Sequence, residues 1–507
     1  MKKIEYVIIQ AGGRGSRLET LTNNKPKCLV PIENKPLVFH QFEKFMDKKF
    51  LIICDYKHDV LEKYLSVFAE NIDYKIVRTN KKGTCSGIKE AMKNIPENEP
   101  FAIVWCDLLF SDNTFIPQEI ESNMVALSKS FECRWSFIED VFEKVPSKEN
   151  GVSGLFLLSD KSQIENIAEE GEFVLWLKNN NIKFGSFDLV GAREIGTMLS
   201  YNQNENKDAK CRPFNKMIFE SDCVIKLPAN EYGKEIMKDE IAWYKKVKEL
   251  NYEFTPKIFD FEPFKMERVN GRNVFEYKNF TFTQKKAILF KIVERLKTLH
   301  NIANPIEANY EDCFDNYIAK TFARINKVKS LIPFSDREYI AINGKKCRNI
   351  FGFEEQFSEN VKKYFPKDFY LIHGDPTFSN IMIKNEKVDP VLIDPRGYFG
   401  KTKFFGDKDY DWAKLYYSIV GNYDQFNRRN FALEVTDSEI FLRVDSNYWE
   451  ELETYFFELT KADPLKIRIL HSLIWLSLTT YASEDYDSIC TAFYKGLLCL
   501  NEINLNL

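Results

Sequence analysis

A short apolar run that empties straight into a glycine-rich loop constrains this chain more than any other feature. Residues 4–9 lead into Gly12, Gly13, Arg14, Gly15, Ser16, Arg17 and Leu18. Glycines let backbone N–H groups crowd around an anion, while Arg14, Arg17 and the later Lys27 bring positive charge, so the loop reads as a polyphosphate cradle. A triphosphate is its natural guest. Further apolar runs at 50–54, 74–77 and 101–105 alternate with the helix-like stretches PLVFHQFEKFMDKK, DVLEKYLSVFAE and SGIKEAMKNI. That alternation predicts an α/β fold with a parallel, doubly wound, Rossmann-like sheet whose ligands sit at the carboxyl ends of the strands. A Walker A loop would need GxxxxGK[ST], and the dinucleotide fingerprint would need a third glycine where Leu18 stands, so neither fits.

One such sheet does not account for 507 residues, about twice the length at which a single core stops growing. The polar stretch NQNENKDAK at 202–210 reads as a linker, dividing the chain into domains over 1–203 and 211–507. Beyond it, MIFESDCVIKLP suits two antiparallel strands around a Ser-Asp turn, and a helix follows over about 235–250. Past Tyr277 the pattern is mostly helical, including much of 430–507, with strands near 369–400. Basic and acidic residues nearly balance, 71 against 75, which lacks the excess of a nucleic-acid binder and leaves small molecules as the expected partners. The eleven cysteines form no CxxC and no metal spacing, so they read as reduced cytosolic thiols. Cys28, Cys85 and Cys106 lie in the loops of interest and are expected to make the first domain sensitive to thiol modification. The opening apolar run is too short for a signal peptide, and no stretch nears the roughly 20 apolar residues of a membrane span, so a cytoplasmic enzyme is expected. Oligomeric state is not readable. Trp243, Trp412 and Trp475 sit in amphipathic helical contexts and are expected to pack cores instead of boxing a cation.

The stretch QAGGRGSRLETLTNNKPKCLVPIENKP resembles the opening of the sugar-phosphate nucleotidyltransferases, or nucleotide-sugar pyrophosphorylases. Gly83-Thr84-Cys85-Ser86-Gly87 resembles that family's GTA-like loop at the base and sugar, and Trp105-Cys106-Asp107-Leu108 its metal-bearing strand end. Glu194-Ile195-Gly196-Thr197 is similar to its later acidic-X-Gly-Thr element, with glutamate where the family usually has aspartate. The resemblance implies that Gly12, Gly13, Gly15, Gly83 and Thr84 bind the nucleotide. It gives Arg17 and Lys27 to the reacting phosphates and Mg2+ to Asp107 and Glu194. Attack of a phosphomonoester on an α-phosphate brings two anions together, which is why cations must gather there.

A second constellation begins at His373-Gly374-Asp375 and continues through Asn380 to Asp394. Its spacing is that of a kinase catalytic loop and metal-binding Asp. With the later GDKDYDWAKL, it resembles the aminoglycoside phosphotransferase and choline kinase superfamily, implying a bilobal protein-kinase-like (α+β) domain. The implied roles are Asp375 for the attacking hydroxyl, Asn380 and Asp394 for Mg2+, and Lys226 with its partner Glu240 for the ATP phosphates. Glu267 would lie in the hinge that receives adenine, Asp411 would tie down the loop, and His373 would be structural. Arg396 stands where choline kinases have an acidic and aromatic pair, which suggests a hydroxylated or anionic acceptor.

A kinase makes a phosphomonoester and a nucleotidyltransferase consumes one. The pair implies a bifunctional enzyme that phosphorylates a sugar or sugar-like alcohol with ATP, then joins it to a nucleoside monophosphate from a second triphosphate, releasing pyrophosphate. CTP leads, with UTP and GTP open, and surface polysaccharide precursor supply is the implied role. The alternatives are a choline kinase joined to a phosphocholine cytidylyltransferase, and a chain in which one domain has become a sensing or scaffolding module.

Overall fold

The computed structural model describes residues 2–79, 81–205, 215–277, 279–384 and 389–503. The chain divides into two compact units, Met1–Asn206 with Ser483–Asp487, and Lys207–Ala482 with Ser488–Leu507. Of the expected linker, residues 202–204 close a helix, while 206–210 and Cys211 fall outside the described residues.

In the first unit the alternation becomes β1 (Tyr6–Gln10), α1 (Leu37–Lys44), β2 (Lys49–Ile53), α2 (His58–Phe68), β3 (Tyr74–Val77), α3 (Thr84–Met92) and β4 (Phe101–Trp105). The four strands run parallel in the order β3-β2-β1-β4. Val7, Ile8 and Ile9 are fully buried, as a strand covered on both faces must be. After β5 (Leu108–Phe110) come β6 (Met124–Ser128), β7 (Gly151–Leu158), α4 (Phe173–Asn179), β8 (Gly185–Leu189), β9 (Ala192–Glu194) and α5 (Met198–Asn204). β7 lies antiparallel between β4 and β6, and β8 runs parallel to β6, so the sheet is mixed where a parallel one was expected. The cause is the connection: among the described residues no helix lies between β6 and β7, and without a crossover the next strand returns antiparallel.

The added strands carry an aromatic core. Phe156 on β7 is fully buried, with Phe173, Phe184, Phe142 and Trp105 at ring distances of 5.3, 6.2, 6.5 and 6.4 Å. Much of the chain's aromatic content is thus spent on packing.

The second unit opens with β10 (Asn215–Phe219), β11 (Cys223–Pro228), α6 (Glu231–Glu249), β12 (Ile258–Phe261) and β13 (Phe264–Glu267), an antiparallel sheet in the order β10-β11-β13-β12 beside one long helix. The expected hairpin is there. A mostly helical part follows, with α7 (Phe282–Asn301), α8 (Lys320–Val328), the hairpin β14 (Ile381–Lys384) and β15 (Asp389–Leu392), α9 (Lys408–Ile419) and α10 (Pro464–Ser477). Helix was also expected through 430–444. Instead, strands Phe431–Val435 and Glu439–Val444 pair with each other and join Tyr339–Ile342, because FALEV and EIFLRV alternate with period two. Trp243, Trp412 and Trp475 are buried in the core. Among the described residues no helix is long and apolar enough to cross a membrane.

Phe156→Ala is expected to cost about 3–5 kcal/mol by opening a cavity in the aromatic core, whereas exposed Phe115→Ala should cost under about 0.5 kcal/mol. Urea unfolding compares the two; equal midpoints would mean that the β7 core carries no stability.

Candidate functional sites

β1 and β4 lie in register, Gln10 opposite Trp105, so their carboxyl ends are level and the loops beyond them open on one side. A cavity of about 1010 Å³ occupies that side, lined among others by Gly13, Gly15, Arg17, Lys27, Asp107 and Glu194. Gly15 has φ 70°, and a Cβ there would stand 3.1 Å from Lys27 Cβ, so the loop closes down on the lysine only with glycine in place. Gly83 and Thr84 also line the cavity. Gly83 has φ 94°, and its missing Cβ would strike the Gly171 carbonyl oxygen at 2.3 Å. Gly171 O accepts from Cys85 N–H at 3.0 Å, while Thr84 Oγ1 accepts from Phe173 N–H at 2.8 Å, locking the second loop. Gly12 does not line the cavity; its position packs toward Asp55 and Ile53. Arg14 lies over the Tyr56 ring at 5.6 Å.

Four expected residues converge. The Lys27 ammonium pairs with Asp107. β9 pairs with β5, setting Glu194 opposite Leu108, and Ile195 N–H donates to Asp107 O at 2.8 Å, which brings the two acidic positions side by side. Arg17 reaches Glu194 at 3.7 Å. Burial opposes the charge of Lys27, but Asp107, Cys106 and Glu194 outweigh it and hold its pKa above the ordinary range. Burial, then Asp107, pushes the Glu194 carboxyl upward against Lys27 and Arg17. Glutamate's extra methylene therefore does not remove it from the site. Two hard-oxygen carboxylates crowded on one ammonium suit Mg2+ that takes its other ligands from phosphates. Among the described residues no group of three or more His, Cys, Asp or Glu could hold a metal by itself.

The thiols depart from expectation. Cys28, Cys85 and Cys106 are buried, and burial pushes the Cys85 and Cys106 thiols up to about 11 and 12, far from thiolate reactivity at neutral pH.

In the second unit, Lys226 on β11 donates to Glu240 Oε2 on α6 at 2.6 Å and also pairs with Asp394. Burial works against this ammonium, yet Asp394 and Glu240 raise its pKa. Across the β14–β15 hairpin, Ile393 N–H donates to Asn380 O at 2.9 Å, which sets Asn380 beside Asp394. Asn380 Nδ2 donates to the Asp375 carbonyl at 2.8 Å and to its Oδ2 at 3.0 Å. Lys414, three residues after Asp411 and so on the same helical face, pairs with Asp375 Oδ1 at 3.0 Å. Sequence reasoning missed it, although the spacing was a usable signal.

Asp411 holds the loop. Its carboxylate accepts from His373 N–H at 2.9 Å and Gly374 N–H at 2.7 Å, with His300 Nε2 at 3.0 Å. The N-cap of α9 is Asp407. Burial lowers the His373 pKa despite Asp411 and Asp375, so the ring is neutral: Nδ1 accepts from Asp375 N–H at 3.3 Å and Nε2 faces Ile393 O at 3.0 Å. The hinge reading of Glu267 meets an obstacle. Its N–H donates to Lys257 O at 2.8 Å because it closes β13, and the N–H of Arg268, just beyond the strand, donates to Asp222 O at 2.9 Å. Arg396 packs against Gly374 and donates to Asn316 Oδ1 at 3.0 Å.

Residues 7–125 match the MobA-like NTP transferase domain, so the chain carries an N-terminal domain of that kind, which spans both glycine loops and Asp107. The catalytic subunit beta of mannose-1-phosphate guanylyltransferase from Drosophila pseudoobscura pseudoobscura is 28% identical over 183 residues, 31% of this chain and 49% of that protein. The bifunctional protein GlmU of Methanococcus maripaludis (strain C5) is 33% identical over 127 residues, 24% of this chain and 29% of that protein. The chain thus spans no more than about half the length of these curated relatives. The solved CTP:phosphocholine cytidylyltransferase of Streptococcus pneumoniae aligns with 40% of this chain and 97% of its own, at 16% identity and a TM-score of 0.34.

Asp411→Ala would strand two backbone N–H groups and His300 in the core, an expected cost of about 3–5 kcal/mol, read from thermal or urea unfolding. A loss below about 0.5 kcal/mol would mean that the loop is held by something else.

Proposed function

We propose that the chain is a bifunctional enzyme, with a nucleotidyltransferase domain over 1–203 and an aminoglycoside phosphotransferase/choline kinase-like domain over 211–507. The first would transfer a nucleoside monophosphate to a sugar phosphate or similar phosphomonoester, and the second would make that phosphomonoester from ATP and an alcohol. The observation that carries the proposal is shared by both units: each gathers, from segments far apart in sequence, a lysine largely withdrawn from solvent with the carboxylates that phosphoryl chemistry needs.

In the first unit, an oxygen of the phosphomonoester attacks the α-phosphorus and the bond to the β-phosphate oxygen breaks, releasing pyrophosphate. Gly13 and Gly15 present backbone to the triphosphate, and Arg17 and Lys27 offset the charge that accumulates. Mg2+, held by Asp107 and Glu194, would supply further charge neutralisation when bound. In the second unit, the acceptor hydroxyl attacks the γ-phosphorus and ADP leaves. Asp375 takes the hydroxyl proton, Asn380 and Lys414 fix its carboxylate, and Lys226 holds the phosphates. Asn380 and Asp394 would hold Mg2+ there through their side-chain oxygens. The final product, a nucleotide-activated conjugate, suits supply of a surface polysaccharide precursor.

Mass spectrometry of reactions containing ATP, Mg2+, one of CTP, UTP or GTP, and a pool of sugars and polyols tests the proposal. A nucleoside-diphosphate conjugate requiring ATP and one other triphosphate is expected. Asp375→Asn should lower phosphomonoester formation at least about a hundredfold while sparing nucleotidyl transfer to a supplied sugar phosphate, and Asp107→Ala should do the reverse. Loss of both activities in either folded variant would break the two-site assignment.

A further inference from the structure

A second cavity, of about 440 Å³, lies in the C-terminal unit and is bordered by Asp315, Asn316, Lys320, Arg396, Tyr398 and Lys401. It adjoins the loop of Asp375. Arg396 N–H donates to His373 O at 2.9 Å, and the Arg396 Cβ lies so close to Gly374 that a Cβ there would stand 2.8 Å away. Lys414, paired with Asp375, adds its field at Lys320.

The charges around this cavity do not cancel. Among the described residues Arg396 is held by neutral groups: Asn316 Oδ1 at 3.0 Å, the Tyr410 hydroxyl at 3.3 Å, and the Tyr398 and Tyr410 ring faces at 4.5 and 5.8 Å. Arg324 likewise donates to Ser477 O at 2.9 Å and lies over Tyr481 at 4.3 Å. Lys320 makes no ion pair among the described residues, and burial together with Arg396, Arg324 and Lys414 pushes its ammonium down to about 6. Asp315 supplies the one carboxylate on the cavity wall among the described residues, against Lys320, Arg396 and Lys401. Such a cluster lacks a counter-ion, and a ligand can bring one.

We propose that the alcohol phosphorylated in this unit is itself an anion, a hydroxy acid or phosphorylated polyol whose carboxylate or phosphate seats between Lys320 and Arg396 while its hydroxyl faces Asp375. The inference rests on the kinase reading and names the substrate class for that site. A guanidinium presents paired N–H donors to carboxylate or phosphate oxygens, and the ammonium adds a point charge. A quaternary ammonium acceptor such as choline would meet like charge instead. In the reaction the acceptor oxygen bonds to the γ-phosphorus, the bond from that phosphorus to ADP breaks, and the hydroxyl proton passes to Asp375. Binding of the anion also favours the protonated form of Lys320, so complex formation near pH 7 takes up a proton.

The test uses the full chain with ATP and Mg2+ and three acceptor sets: anions (glycerate, gluconate, glycerol 3-phosphate), neutral polyols (glycerol, glucose, ribitol) and cations (choline, ethanolamine). Transfer confined to the anions is expected, and comparing glycerate with glycerol 3-phosphate distinguishes carboxylate from phosphate. Lys320→Ala should raise the acceptor KM about tenfold or more with kcat within about threefold, and Lys320→Arg should recover most of the loss. Calorimetry with the same anions in two buffers should register proton uptake. Preferred transfer to neutral or cationic acceptors, or an unchanged acceptor KM in Lys320→Ala, overturns the inference and leaves the kinase reading standing. If no anion binds while ATP is still turned over, the inference alone fails; absence of ATP turnover in every set sinks the kinase reading and the inference with it.

Discussion

An ammonium withdrawn from water costs several kcal/mol unless a carboxylate meets it, and that constraint organises both sites. Lys27 is met by Asp107, 80 residues away, and Lys226 by Asp394, 168 residues away, as well as by Glu240. Lys414 is met by Asp375. Each pair closes only when separate segments have reached their final places, so assembly of the site and completion of the fold are one event. Lys320 breaks the pattern, and the difference marks where a ligand's own charge is wanted.

The two units deliver carboxylates by different routes. In the first, Asp107 follows a parallel strand, and Glu194 is carried to it by a short antiparallel pair, β5 with β9. In the second, Asn380 precedes one strand of a hairpin and Asp394 follows the other, so a single ladder fixes their separation. Asp411 then anchors the loop of Asp375 from behind through two backbone N–H groups. A loop rich in polar backbone can be buried because this one carboxylate satisfies it.

How much of this was legible follows from the range of each signal. The order of β1 to β4 and the grouping of Lys27, Asp107 and Glu194 were written in local patterns and short motifs. Lys226 and Glu240 followed from the second resemblance and Asp375, Asn380 and Asp394 from their spacing; the structure sets Lys226 against Glu240 and Asp394, and Asn380 against Asp375. The antiparallel return of β7 was hidden because an all-buried strand such as GVSGLFLL has no period to show its direction. The strands at 431–444 were masked by their helical surroundings. Glu267 was given to a hinge by the second resemblance, whereas its N–H bond to Lys257 O keeps it in the sheet. The role of Lys320 could not be read at all, since it depends on the absence of a partner, and a linear pattern records only what is present.

The first cavity has two walls of different origin. One hangs from parallel strands and bears the glycine loop; the other, with Phe131, Trp135 and Pro146, belongs to the segment joining β6 and β7. That second wall also packs inward, because Trp135, Phe137 and Phe142 of the same segment are buried in one core with Phe156. Phe131 and Pro146, which stand outside that core, are the positions of this wall where the cavity's lining can change while the aromatic anchors and the glycine loop keep their places.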